Sequence, residues 1–429
     1  MVAFATIYLG LVLGPQAIQV AVDGPVAALE IRLDGETKAT RTKPPWLFVI
    51  DFGQSYEPHV LEAVAFDQDG EELSRAEQWL NVPRPDAEGE IVLSGGRDGA
   101  GVVARVLWES RLSATPEEVV ATFDGQPLPV ADPERIEIPP HDPDRLHLLQ
   151  VELIFRGGYS TRIDKTFGGG YADEVETQLT AVPIELPPRR RAPQADKLQG
   201  ELVDAAGEPL EVVAIDKGQA DLVVVRDVAA QPVLDKMAAG QGVVPLNDKE
   251  RHSGSLPKDQ LTRFLYPVTT ELLGHRTRQE QFPSSRAYLR RHGGLAWLMI
   301  QERRSFAPGR QRLAEAVAVA GMAAAQRNRR RAVLLVISAD PADVSQVPPE
   351  VARSYLAQLR VPLHVWVVGD RSKTGPWGPQ RPIRGFHTLH AATRDLAHSL
   401  DRQRIVWLRG RHLPQEIDLA EQASYQFAR

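Results

Sequence analysis

The sequence contains no cysteine. Disulfides, thiolate metal ligands and cysteine nucleophiles are therefore excluded, and stability has to come from packing alone, whichever compartment the protein occupies. It also lacks an apolar run long enough to cross a bilayer, for which roughly 20 residues are needed. The most apolar stretch, Met1 to Gly14 (MVAFATIYLGLVLG), has no lysine or arginine ahead of it and no small-residue cleavage site behind it, so it does not read as a signal peptide. Ile18, Val20 and Val22 continue an alternating pattern just beyond it, which predicts a first β-strand instead. The common catalytic signatures are missing too: there is no GxSxG elbow, no HExxH helix, no Walker loop and no cysteine-based motif. Nor does one sign of charge dominate. The net charge of -6 and the pI of about 6.0 exclude a pervasive basic surface, so nucleic acid is not an expected partner.

What is present is the composition of a globular protein: 429 residues, 43% hydrophobic and 25% charged, enough for two or three domains with sizeable cores. The first half consists of short alternating segments closed by Asp-Gly or proline turns. Val26 to Leu33 ends at Asp34-Gly35, Trp46 to Phe52 follows, and Val60 to Phe66 ends at Asp69-Gly70. This is how β-sandwiches read. The pattern echoes itself. LEIRLDGE is followed by PPW and then by a strand opening at His59, and VVATFDGQ is followed by IPP and then by a strand containing His147. Asp34 and His59 stand 25 residues apart, Asp124 and His147 stand 23 apart. Duplicated sandwiches are expected, with a linker at Asn81 to Glu90 and a stiff, charged boundary at Pro187 to Ala195, whose triplet Arg189 to Arg191 reads as solvated linker.

After Gln199 strands alternate with helices, which predicts a mostly parallel sheet covered on both faces. Leu222 to Val225, Ala332 to Ile337, Val361 to Val368 and Ile405 to Leu408 are continuous apolar runs suited to such strands. Gln311 to Gln326 and Pro348 to Leu359 carry helical periodicity, and the first of these ends in the basic cluster Arg327 to Arg331, near the negative end of the helix dipole.

The phrases RLAEAVAVAGMAAA, RRRAVLLVIS, PPEVARSYLAQLRVPLHVWVV and RIVWL, in this order, resemble the von Willebrand factor A-like proteins of the acidobacterial type. PHVLEAVAFDQDGEELSRAEQWLNVPR is similar to the immunoglobulin-like region that precedes that domain in them. The resemblance implies a divalent-metal adhesion site held by an Asp-x-Ser-x-Ser loop, a threonine from a second loop and an aspartate from a third, with hard oxygen ligands suited to Mg²⁺. The matching first loop here is Asp227-Val228-Ala229-Ala230-Gln231, with Ala229 and Gln231 in place of both serines. The second is Gly293-Gly294-Leu295, with leucine for the threonine, and only Asp340 remains for the third. The resemblance thus implies a degenerate site that holds no metal, or Mg²⁺ or Mn²⁺ only weakly. Gly240, Gly242 and Asp248 also interrupt the long helix expected after the first loop.

Other clusters have plainer readings. Gly95 to Gly101 is glycine-rich but lies between strands, as a hairpin loop does. His387, His390 and His398 fall within about 80° of one another on a helical wheel, opposite Leu389, Leu396 and Leu400, and so face water. His364 reads as a core histidine, and Asp67 to Glu72 as a turn rather than a calcium loop. The sequence therefore predicts an immunoglobulin-like sandwich over 1–84, a second sandwich over 85–186, a linker over 187–199 and a degenerate von Willebrand A-like α/β domain over 200–429. The expected function is non-catalytic protein binding or scaffolding, with a constitutive structural subunit of a cell-envelope assembly as the alternative and a hydrolase using Asp340 and Asp343 as a minor third. Asp227, Gln231, Gly294 and Asp340 form the expected remnant of the metal site, and Asp227, Asp340 and Ser345 an expected partner surface. The resemblance points to the envelope or the exterior, whereas the chain starts at its first strand, so either the start is truncated or the protein stays in the cytoplasm; the envelope is the expectation.

Overall fold

Strands with alternating burial fill much of the first part of the chain, and the second part contains strands buried along nearly their whole length, Ala220–Arg226 and Arg330–Ser338 among them. The computed structural model describes residues 1–8, 10–83, 87–94, 101–110, 115–143, 145–155, 160–168, 179–188, 192–240, 260–272, 278–289, 294–302, 311–369, 375–421 and 423–428. Two compact units are formed, Met1–Pro83 with Leu413–Gln415, and Arg84–His412 with Glu416–Arg429.

The first unit holds β1 (Val2–Phe4), β2 (Pro15–Val22), β3 (Ala28–Leu33), β4 (Glu36–Arg41), β5 (Leu47–Asp51), β6 (His59–Phe66) and β7 (Glu72–Leu80). They make two antiparallel sheets, ordered β1-β2-β5 and β4-β3-β6-β7. Ile18, Val20, Phe48 and Ile50 from one sheet meet Leu29, Ile31, Leu61 and Ala63 from the other, and in β2, β3 and β5 the residues that enter the core alternate with outward ones.

The second unit begins with β8 (Ala87–Ser94), β9 (Val103–Ser110), β10 (Glu118–Phe123), β11 (Gln126–Leu128), β12 (Ile136–Glu137), β13 (Leu146–Ile154) and β14 (Ser160–Gly168). Their sheets are ordered β12-β9-β8 and β11-β10-β13-β14, which is the order of the first sandwich with every strand number raised by seven. Both sandwiches have immunoglobulin-like, fibronectin III-type character. The sequence echo has a physical basis. Asp34 (φ 53°) with Gly35 (φ 78°), and Asp124 (φ 49°) with Gly125 (φ 77°), form left-handed two-residue turns between equivalent strands. Each aspartate then reaches the equivalent neighbouring strand. Asp34 accepts from Val60 N at 2.8 Å and meets His59 Nδ1 at 2.6 Å, and Asp124 accepts from Leu148 N at 2.9 Å and meets His147 Nδ1 at 2.7 Å. The stretch Asn81 to Glu90 is not linker throughout, because β8 starts at Ala87 and pairs along its length with β9.

The rest of the second unit contains β15 (Leu179–Glu185), β16 (Leu202–Val203), β17 (Val212–Asp216), β18 (Ala220–Arg226), α1 (Ala230–Gly240), β19 (Gln260–Leu265), β20 (Thr269–Leu272), β21 (Arg278–Gln281) and β22 (Tyr288–Leu289). After these come α2 (Leu295–Gln301), α3 (Leu313–Ala325), β23 (Arg330–Ser338), α4 (Pro349–Gln358), β24 (Leu363–Val368), β25 (Arg381–Ile383), α5 (Phe386–Arg402), β26 (Gln403–Arg409), β27 (Asp418–Leu419) and β28 (Gln426–Phe427). Six of the strands form an open sheet ordered β22-β19-β18-β23-β24-β25, parallel except for β22 at the edge. Helix α1 is described as far as Gly240; Gly242 and Asp248 lie outside the described residues, as do Gly95 to Ala100, Arg189 to Arg191 and Gly293.

The run Ile405 to Leu408 is not a strand of that parallel sheet. It belongs to β26, which pairs antiparallel with β15 on one side and β17 on the other in the sheet β17-β26-β15-β28. Ile405 and Trp407 pack with Leu148 of the second sandwich, whereas Val406 and Leu408 pack with Val182, Ile184 and Val212. Burial on both faces makes the run continuously apolar, and that burial does not require parallel neighbours. The stretch 187–199 therefore lies within the second unit, after a strand, β15, that is paired to the far end of the chain.

The basic cluster Arg327 to Arg331 also has a role other than complementing a helix dipole. Arg327, Arg329, Arg330 and Arg331 are all buried. Arg327 and Arg329 stand 3.5 and 3.6 Å from the buried Asp221, and Arg329 also pairs with Glu152 of β13. Arg330 donates to the carbonyls of Gly218 and Leu400 at 2.8 and 2.9 Å, and Arg331 to Leu359 at 3.1 Å. Burial drags the Arg329 guanidinium down to about 9 and that of Arg331 to about 10. Arg162 of β14 adds a link, pairing with Asp164 and Asp216 and lying 4.5 Å over the Trp407 ring.

Candidate functional site

Counted in chain order, the strands of the open sheet run 3-2-1-4-5-6. In such sheets ligands bind beyond the carboxyl ends of the strands, where the order reverses. Here that point lies between β18 and β23, and Asp227 stands in it, directly after β18 and ahead of α1. The side chain is completely buried. Oδ1 accepts from Ala229 N at 2.9 Å and from Gln311 Nε2 at 2.8 Å, while Oδ2 accepts from Ser338 N at 2.9 Å and Ser338 Oγ at 2.6 Å. Gln311 closes the arrangement by accepting from Val228 N at 2.7 Å through its own Oε1. A carboxylate offers about four lone-pair sites, and all four are taken by protein donors.

The other expected remnants do not converge on this carboxylate. Gln231 turns along α1 and donates to Asp235 at 2.7 Å. Gly294 is buried at the amino end of α2, where its carbonyl accepts from Leu298 N at 3.0 Å. Asp340 is exposed in the loop after β23. Ser345 works with Asp343 to cap a helix: Asp343 Oδ1 accepts from Leu313 N at 2.9 Å and Ser345 Oγ from Ala314 N at 2.9 Å, the first two amides of α3. Ser345 Oγ also donates to Asp343 Oδ1 at 2.5 Å. The pair Asp340 and Asp343 is thus one exposed residue and one capping residue. Glu315 in the first turn of α3 ties the same loop down by accepting from Gln346 N at 2.7 Å. Burial pushes its carboxyl up, but hydrogen bonds from Ser345, Gln346 and Arg312 outweigh burial and hold it below the ordinary value.

This set does not fit a divalent cation. Mg²⁺ needs several converging hard oxygens with room for water. Here the buried aspartate has no free lone pair, alanine and a turned-away glutamine stand in the loop, and the remaining acid faces solvent. Among the described residues no three His, Asp or Glu side chains are grouped to hold a metal ion. On α5, His387 and His398 are exposed, and His390 lies edge-on to Phe386 at 4.4 Å between ring centres.

Beside Asp227 lies a polar cluster that the sequence reading missed. Arg226, the last residue of β18, is buried and donates to the carbonyls of Met299 (3.0 Å) and Glu302 (2.6 Å), between the rings of Phe264 and Tyr266. The Glu302 carboxylate accepts from the hydroxyls of Tyr266, at 2.6 Å, and Tyr288. A charge closing the apolar run Leu222 to Val225 was the available signal. Its partners lie more than seventy positions further on, and no local pattern identifies them.

Comparison with known proteins adds little. No protein-family model and no curated protein matches the chain. Among solved structures, the fibronectin(III)-like modules of Clostridium thermocellum CbhA share 14% identity over 19% of this chain and 93% of theirs, at a TM-score of 0.17. The central fibronectin-III array of RIM-binding protein shares 13% over 46% of this chain and 81% of its own, at 0.19. Proximal thread matrix protein 1 of the mussel byssus shares 13% over 43% and 48%, at 0.27. Scores this low carry no argument; the sandwich character rests on the strand orders given above.

Proposed function

We propose that the chain is a non-catalytic protein-binding or scaffolding protein, in which β-sandwich modules accompany a von Willebrand A-like α/β domain with an internalised, metal-independent remnant of the adhesion site. One observation carries this reading: the Asp227 carboxylate is saturated by Ala229, Gln311 and Ser338, so protein donors satisfy the charge that a cation would otherwise balance. The 3-2-1-4-5-6 strand order supports the domain assignment at the level of fold. Burial of Arg327 to Arg331 leaves that cluster unavailable to phosphates, in keeping with a protein partner rather than nucleic acid.

The test is affinity capture of partners by the tagged chain from its native cells, with excess Mg²⁺ and with EDTA in parallel. Equal recovery of one partner in both arms is expected. A partner lost with EDTA would show that the aspartates still hold an ion and would refute the metal-independent reading.

A further inference from the structure

Sheet edges expose unpaired backbone N–H and C=O groups, and natural sandwiches guard them with charges, proline, bulges or very short strands. The described edges of the two sandwiches show these devices, with one exception. In the first sandwich β4 (ETKATR) carries Glu36, Lys38 and Arg41, and its pairing with β3 is bulged. Strand β7 carries Glu72, Arg75 and Glu77 and is bulged against β6, and β1 has only three residues. In the second sandwich β11 is three residues long and contains Pro127, β14 carries Arg162, Asp164 and Lys165, β8 has two glutamates in its sequence AEGEIVLS, and β12 has only two residues.

The counterpart of β12 in the first sandwich is β5, whose one charge is the terminal Asp51. It has five residues, Leu47–Asp51, with no lysine, arginine or proline and no break in its register against β2. Of its exposed side chains two are apolar, Leu47 at 45% and Val49 at 69% exposure, and the third is Asp51. Opposite them on β2 stand Gln19 and Ala17, so this part of the outer face bears no charge. The hydrogen bonds Val20 N to Trp46 O and Phe52 N to Gly14 O turn the even-numbered residues of this segment towards β2. Alternation then turns Leu47, Val49 and Asp51 outward along the edge.

We propose that β5 is a self-association edge, pairing antiparallel with β5 of a second copy of this chain about a two-fold axis at Val49. The strand is complementary to itself in this register. The two Val49 residues exchange both their backbone hydrogen bonds, and on each side the Asp51 N–H meets the Leu47 carbonyl. The Leu47 N–H already donates to Pro45 O at 2.9 Å, so each 47–51 pair is held by the single bond from Asp51 N–H. Each Asp51 faces Leu47 of the other copy, which keeps the two carboxylates about 13 Å apart along the strands. The product is a continuous six-stranded sheet in which the two Val49 side chains face each other and each Leu47 lies diagonal to the other copy's Val49. A five-residue edge buries less than a standard interface, so the association is weak and concentration-dependent.

The test uses the full chain. Sedimentation equilibrium from roughly 1 to several hundred micromolar, a range that brackets a small interface, is expected to show the mass rising from 47.3 kDa towards twice that value. Val49→Lys, which sets two like charges across the axis, is expected to hold the mass at the monomer value with an unchanged circular dichroism spectrum. Because the chain has no cysteine, Val49→Cys gives an independent readout. In a hydrogen-bonded antiparallel pair the two Cα atoms lie about 5.5 Å apart, within disulfide reach. Mild oxidation should give a covalent dimer, whereas Leu73→Cys, 50% exposed on the other sheet, should not. A monomeric wild type across the range, a dimer untouched by Val49→Lys, or equal crosslinking at positions 49 and 73 each overturns the proposal.

Discussion

At the scale of single residues the sharpest question is what Asp227 is for. If its carboxylate is held by amide and hydroxyl donors alone, Asp227→Asn turns one acceptor oxygen into a donor facing other donors. A loss of about 2–4 kcal/mol is expected, measured as a lower denaturant midpoint for the second unit. Millimolar Mg²⁺ or Mn²⁺ should leave the wild-type midpoint unchanged; a site holding an ion would be stabilised in proportion to the logarithm of metal concentration. His364 gives a pH test. Burial, assisted by the nearby Arg381, lowers its imidazole to about 4. The folded pKa lies below the unfolded value of about 6.5, so in between only the unfolded chain takes the proton. Stability should therefore fall as pH drops from about 6.5 to 4, by roughly 2–3 kcal/mol because the ring is partly solvated, and no further below that. His364→Asn should flatten this slope in denaturant titrations across the window.

At the scale of elements, the loop at 343–346 has a definite task. It caps α3, whose own N-terminal residue Arg312 offers no side-chain cap. Asp343→Ala should cost about 1 kcal/mol, and Ser345→Ala a similar amount, each seen as a lower midpoint with unchanged helix content. Were Ser345 a partner contact, its substitution would weaken binding and leave stability alone. Much at this scale was legible in the sequence: β3 falls where Leu29, Ile31 and Leu33 alternate with Glu30 and Arg32 because one-sided burial imposes alternation, and β5 and β6 are short apolar runs bounded by turns. The Asp-Gly turns were legible for the same local reason. The run of β26 was misplaced because two-sided burial erases alternation, leaving parallel and antiparallel neighbours indistinguishable. The candidate site was legible only in part. Asp227 stood out in its loop, but Gln311 and Ser338, which complete its coordination, lie 84 and 111 positions away. The Arg327 to Arg331 cluster read only as a complement to the helix dipole because nothing near it in sequence announces Glu152 or Asp221.

At the scale of the molecule, the second unit is joined by contacts that the order of the chain does not suggest. Strand β26, contributed by residues 403–409, lies between β15 and β17, and its Trp407 and Ile405 pack on the second sandwich. Arg329, ahead of β23, reaches Glu152 in that same sandwich. Sandwich and open sheet should then lose structure together. Glu152→Gln removes one partner of a buried ion pair and leaves Arg329 short of charge compensation, so it should cost about 3 kcal/mol or more. The double change Glu152→Gln with Arg329→Met should recover part of that loss, because neither partner is then stranded. Deleting residues 403–429 is the stronger test. It strips β15 and β17 of their shared partner and exposes Leu148, Val182, Ile184 and Val212, so the shortened chain should bind a hydrophobic dye and lose near-ultraviolet dichroism across the second unit. A truncated chain that kept native dichroism in the second sandwich would show that the sandwich folds without β26, and that the joined second unit is two independent bodies.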